Sequence, residues 1–147
     1  MNAEDWHVTL KFIGDVANHQ FERLTECVQR TAPKHGSLTI KFERIELFPS
    51  RKRPLVLAAT AIPAQSVCML VEDLESACCN LGLPAELRPW RCHLTLARVR
   101  RRSGLNLEAI NINVTLNARH LVLMESVVVD QRRHYRPVGM APLNMLG

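Results

Sequence analysis

The sequence predicts an α+β fold, and three observations carry that prediction. Short β-branched segments closed by glycine or proline alternate with two stretches whose apolar residues recur at helical spacing, so one chain mixes strands and helices. At 147 residues the chain is long enough for one shared core and too short for two full ones, so residues 1–147 read as a single domain. One phrase, histidine, aliphatic, threonine, leucine, occurs twice, as HVTL at 7–10 and HLTL at 93–96, and two similar lobes facing one another would satisfy that repeat.

The elements follow in order. WHVTLKFIG (6–14) alternates, is rich in β-branched and aromatic residues and ends at Gly14, which predicts a strand. From Asn18, an N-cap candidate, Phe21, Leu24, Cys27 and Val28 recur at helical spacing until Pro33. Residues 37–48 and 54–60 read as strands around the basic loop PSRKR. Val67, Leu70, Val71, Leu74, Ala77, Cys78 and Leu81 trace one helical stripe that Gly82 and Pro84 close. RCHLTLARV (91–99) is another strand, 118–129 a long one, and HYRPVGMAPLNML an edge strand, since Pro137 and Pro142 cannot donate to a central ladder.

Composition narrows the function. The chain is 47% hydrophobic and 22% charged, with no apolar run of membrane-spanning length, so no membrane partner is expected. The start, MNAEDWH, lacks the basic and apolar regions of a secretory signal, which makes the cytoplasm the expected address. Five cysteines without a C-x-x-C pair fit neither a disulfide scaffold nor a zinc knuckle. A net charge of +5 comes in runs, SRKRP (50–54), ARVRRRSG (97–104) and DQRRHYR (130–136). A single run reads as a solvated loop tip; three on a small chain point to a polyanion, with nucleic acid first.

The repeated phrase carries the chemistry. Side chains alternate along a strand, so His7 with Thr9, and His93 with Thr95, project together while the aliphatic residues face the other way. Each pair offers a group that moves a proton near neutral pH and a hydroxyl that holds an oxygen. Two such pairs supply the base, the acid and the donors to non-bridging oxygens that an in-line displacement at phosphorus needs, with no metal or other cofactor. A lone strand histidine is most often a structural residue; the pair is the specific signal. Metal ligation is the weaker reading, because neither phrase lies near an H-x-x-x-H, an H-E-x-x-H or clustered carboxylates. A Cys92 nucleophile is weaker still, since Cys92 and His93 are adjacent and face opposite ways on a strand.

Paired H-x-T-L strands, with RPWRCHLTLAR leading into the second, resemble the two-histidine (2H) phosphoesterase superfamily. Within it the chain is similar to the bacterial and archaeal RNA 2′,3′-cyclic phosphodiesterases, also called 2′-5′ RNA ligases. The similarity runs from AEDWHVTLKFIGDV through IELFPSRKRPLVL and LGLPAELRPWRCHLTLARV to HYRPVGMAPL. It implies two pseudo-symmetric lobes of antiparallel sheet with packed helices around a central cleft. It also implies hydrolysis of RNA 2′,3′-cyclic phosphate ends to 2′-phosphates, with reversible 2′-5′ ligation, and RNA ends or cyclic nucleotides as partners. His7 matches the family's general acid, His93 its general base, Thr9 and Thr95 its phosphate-binding hydroxyls, and Arg98 a phosphate or ribose contact. Arg98 has the wrong parity for the face of His93 and Thr95 in a regular strand, so a bulge or the strand's end must turn it. Family members usually carry a strand and helix before the first phrase, where only six residues precede His7. An uncovered ladder edge is then expected, and with it a homodimer through that edge. The rival reading is a binding module that holds a nucleotide or RNA end without turnover.

Overall fold

The computed structural model describes residues 6–100 and 107–144, and its chain falls into two compact units. The first gathers the chain through Thr9, Ile40–Pro63 and Arg91–Leu116; the second takes Leu10–Thr39, Ala64–Trp90 and the chain from Asn117. Among the described residues two α-helices and antiparallel sheets make the class α+β, as the sequence predicts.

The first unit is built on a sheet of order β3-β2-β1-β4, formed by β1 (Leu38–Phe48), β2 (Val56–Ala61), β3 (His93–Arg98) and β4 (Ile110–Ala118). In β1 the buried residues begin at even numbers, Leu38, Ile40 and Phe42, and Leu47 is buried at an odd one. The register shift between Phe42 and Arg44 explains the switch, because Glu43 is an extra residue that moves every later side chain to the other face. The middle of β2 is alanine, and Ala58 is fully buried. Beside β3 the strand predicted for 6–14 shrinks to a single antiparallel bridge, Val8 to Leu94. Beyond it the chain leaves the ladder: the Lys11 ammonium is committed to Glu75 at 2.7 Å and to the Pro84 carbonyl at 3.0 Å, and Gly14 turns at φ +80°.

The second unit holds α1 (Asn18–Thr31), α2 (Gln65–Asn80) and the ribbon of β5 (His120–Val129) with β6 (Arg132–Pro142). Ala17, not Asn18, is the cap of α1; its N–H is satisfied at 3.1 Å by the Gln20 side chain, a reach-back from the third helical position that makes a polar cap residue dispensable. Pro33 does not stop the chain outright but sits in a 3-10 turn, Ala32–Lys34. The stripe of α2 is buried as predicted at Val67, Leu70, Leu74 and Cys78, and Gly82 ends it at φ +81°. Buried His35 meets the Asp73 carboxylate at 2.8 Å, which ties the turn after α1 to α2. Asp130 and Gln131, both at positive φ, make the two-residue turn between β5 and β6, the geometry that matches strand twist. The two prolines of β6 lie opposite Met124 and His120, on a ribbon with no third strand among the described residues. The sequence reading missed β4, whose Ile110, Ile112, Val114 and Leu116 alternate with Asn111, Asn113 and Thr115.

Candidate functional site

The single bridge between Val8 and Leu94 sets the geometry of both phrases within the first unit. Partners directly across an antiparallel pair share a face, and their neighbours point the other way, so His7, Thr9, His93 and Thr95 all project from the face that Val8 and Leu94 do not occupy. Continued by one residue each way, the register sets His7 across from Thr95 and Thr9 across from His93. Opposed residues stand about 4.5–5.5 Å apart and diagonal ones about 7–8 Å, so the two histidines occupy one diagonal of a small square and the two threonines the other. Both histidines and Thr95 are half-buried, and Thr9 is exposed.

Arg98 joins that face because β3 is bulged. Ala58 pairs with Thr95, but Leu57 pairs with Ala97 and Val56 with Arg98, which leaves Leu96 as the extra residue. Val56 and Ala58 are two apart on β2 and share a face, so Arg98 shares the face of Thr95 despite its parity. The condition on which its assignment depended is met. Of the other arginines leading into β3, Arg88 is held bidentately by Glu86, at 3.0 and 2.9 Å, and holds the Glu86 carboxyl down at about 2. Arg91 gives its Nη1 to the Pro49 carbonyl at 2.8 Å.

The surroundings of His93 are the most defined. Its Nδ1 lies 2.9 Å from the Arg91 carbonyl. A carbonyl only accepts, so Nδ1 carries the hydrogen of that bond, and in the neutral ring the lone pair sits on Nε2. The ring stacks on Phe48, with centroids 4.1 Å apart and planes 16° from parallel. Across the sheet from His93 stands Thr60, opposite Arg44, and the Thr60 hydroxyl donates to Glu46 at 2.8 Å. Arg44, Glu46 and Phe48 therefore extend the same face. Sequence reasoning missed all three; the alternation of ERIELF was the available signal, hidden by the bulge at Glu43.

Cys92 is buried, and its carbonyl accepts from Ala61 N at 3.2 Å. Of the basic runs, Arg51, Lys52 and Arg53 are exposed in the loop joining β1 to β2, at the sheet end that carries Arg98. Residues 101–104 of the second run lie outside the described residues, and the third spans the tight β5–β6 turn and the start of β6. Among the described residues no helix is long and apolar enough to cross a membrane.

The chain is similar to known proteins in part of its sequence and throughout its fold. Residues 1–58 match the family described as LigT like Phosphoesterase. An RNA 2′,3′-cyclic phosphodiesterase of Bacillus subtilis (strain 168) is 32% identical over 94 residues, which are 64% of this chain and 51% of that protein. The chain thus spans about half the length of that relative. A solved structure from Thermus thermophilus, that of TT0787, has the same fold, with a TM-score of 0.84 at 19% identity, over 99% of this chain and 86% of that one. E. coli LigT, solved with 3′-AMP, follows with a TM-score of 0.80 at 22% identity, over 97% of this chain and 79% of its own. The first 58 residues are thus similar to the LigT like Phosphoesterase family, and the likeness to the solved structures is one of fold.

Proposed function

We propose that the chain hydrolyses RNA 2′,3′-cyclic phosphate ends to 2′-phosphates, using its own histidines and threonines and no metal ion. The observation that carries this reading is the Val8–Leu94 bridge, which gathers His7, Thr9, His93 and Thr95 on one face. His93, whose lone pair is on Nε2, takes a proton from water as the water oxygen attacks phosphorus. The bond from phosphorus to the 3′ oxygen breaks, and protonated His7 on the opposite corner supplies the proton to that oxygen. The products are a 2′-phosphate and a free 3′ hydroxyl. Thr9 and Thr95 donate to the non-bridging oxygens, and the Arg98 guanidinium offsets charge that builds there. A 5′ hydroxyl in the place of water gives a 2′-5′ bond by the same steps, and that joining runs backward through the same groups. The nucleotide found on LigT and the names of the relatives support a nucleotide or RNA end as the bound partner.

The test is turnover of a 2′,3′-cyclic mononucleotide and of an RNA oligomer ending in a cyclic phosphate, with and without EDTA. A 2′-phosphate product formed equally in EDTA is expected. Binding without turnover would favour a holding module, and activity lost in EDTA and restored by one metal would overturn the metal-free scheme.

A further inference from the structure

Arg91 holds two things that in turn hold His93. Its backbone carbonyl takes Nδ1 of the imidazole at 2.9 Å, and its guanidinium carbon lies 4.5 Å from the centre of the Phe48 ring on which that imidazole is stacked. The same guanidinium reaches the carbonyl of Pro49, the residue after Phe48. The register puts the backbone of Phe48 on the row of Val56 and Arg98, four residues along β1 from the Arg44 and Thr60 row that meets His93. To stack at 4.1 Å the Phe48 side chain must lie along the face of the sheet. A side chain so laid down does not gain burial alone: Phe48 remains only half-buried, and what its ring gains is the imidazole and the guanidinium.

A hydrogen bond at Nδ1 fixes one atom of the ring but leaves the plane free to swing about that bond. A flat partner removes that freedom, so Nε2 keeps one direction. When the ring takes a proton it becomes a cation against a π face, an arrangement the ring quadrupole favours.

We propose that Phe48 is a positioning residue for His93, fixing the plane of the imidazole and favouring the imidazolium formed during turnover. Its effect on rate rests on the reading of His93 as the base. Phe48→Leu, Phe48→Trp and Arg91→Ala, each in the full chain, are compared by imidazole NMR relaxation of His93 and by steady-state kinetics on a 2′,3′-cyclic mononucleotide. Phe48→Leu should make the His93 ring more mobile and lower kcat by about 10- to 100-fold, the scale of a small misplacement, with KM little changed. Phe48→Trp, which restores a π face, should recover most of both. Arg91→Ala keeps the backbone carbonyl and should fall between, and its side chain is exposed, so the fold survives even where Phe48→Leu does not.

A His93 ring as ordered in Phe48→Leu as in the wild type overturns the proposal. So does a loss confined to KM, which would make Phe48 a platform for the nucleobase instead. Should the wild-type chain fail to turn over the cyclic phosphate, the reading of the function falls. The positioning proposal is then decided by the relaxation data alone: a mobile ring in Phe48→Leu that Trp restores upholds it, and an unchanged ring overturns it.

Discussion

Moving one guanidinium by one residue tests the bulge in β3. Arg98→Ala removes a charge-assisted donor from the proposed phosphate site. Hydrogen bonds to charged groups are worth about 1.5–3 kcal/mol, and Arg98 is exposed, so water screens the charge and the lower part of that range, about 1.5–2 kcal/mol, applies. At about 1.4 kcal/mol per factor of ten, the expected loss in kcat/KM is about 10- to 30-fold. The double change Ala97→Arg with Arg98→Ala keeps the net charge and moves the guanidinium by one residue. Ala97 pairs with Leu57 and Arg98 with Val56, so the move carries the charge to the opposite face. Ala97 is exposed, and the larger side chain is expected to be tolerated there. The assay is the initial rate on a 2′,3′-cyclic mononucleotide, with melting temperature as the check on folding. The swapped variant should be as slow as Arg98→Ala. A swapped variant at the wild-type rate would mean that mere proximity of positive charge suffices and that the face assigned by the bulge is irrelevant. A wild-type rate in Arg98→Ala itself would remove Arg98 from the site.

Other outcomes follow from the same geometry. His7→Ala and His93→Ala should each lower turnover by about 10²–10⁴-fold while the melting temperature holds, because on the proposed reading one ring gives a proton and the other takes one; wild-type turnover by either would end the two-histidine scheme. Binding of an RNA oligomer should weaken steeply with added salt, through Arg51, Lys52, Arg53 and Arg98, and binding of a mononucleotide much less; equal slopes would place those charges away from the RNA. The Lys11 ammonium holds the Glu75 carboxyl below its ordinary value, so the pair's stabilisation is full above about pH 4.3 and is lost as pH falls through the lowered value. Urea unfolding between pH 7 and 3 should show that loss in the wild type and a flatter profile in Glu75→Gln. Burial pushes the Cys78 thiol up to about 11, so iodoacetamide at pH 8 should modify exposed Cys79 well before Cys78, as read by mass spectrometry of the intact fold.

The strongly periodic parts were legible in the sequence, and the reason lies in burial. The α2 stripe from Val67 to Cys78 and the alternation of β3 ahead of its bulge, with Leu94 buried between His93 and Thr95, report directly which side meets the core. Three features were not legible, each for its own reason. Residues 6–14 have the composition of a strand, yet composition does not set the length of a ladder, and the bridge there is that of Val8 to Leu94. The alternation of β4 was overlooked because its polar positions are mostly asparagine, a residue more common in turns, and its apolar face is partly open, with Ile110 and Val114 more than half exposed. The bulges at Glu43 and Leu96 cost one residue each and leave no mark in composition, but each inverts the parity of everything after it. For that reason the face of Arg98 could be stated only as a condition, and Arg44, Glu46 and Phe48 went unnoticed on the face of His93. The histidines and threonines were legible because they fall before the β3 bulge and flank the bridge.

The antiparallel bridge also explains why one phrase serves twice. Two strands running in opposite directions are related locally by a two-fold axis, so a phrase placed on both, centred on the bridged pair, maps onto itself. Parallel pairing would instead bring histidine beside histidine and threonine beside threonine, with like charges adjacent whenever both rings are protonated. The antiparallel arrangement alternates them around the square. On the proposed reading, a phosphate seated there would meet imidazoles on opposite corners, where attacking and leaving oxygens need them, and hydroxyls on the other two. The proposed reaction cannot keep that symmetry, because in it the two rings do opposite things with their protons. On the proposed reading the difference comes from the neighbours of the second copy. Arg91, two residues before His93, fixes the hydrogen on Nδ1 and secures the ring beneath it, and Arg98, brought to the same face by the extra Leu96, would carry charge to the phosphate from that side. On that reading the repeat provides the frame, and the residues flanking its second copy set the direction in which the proton moves.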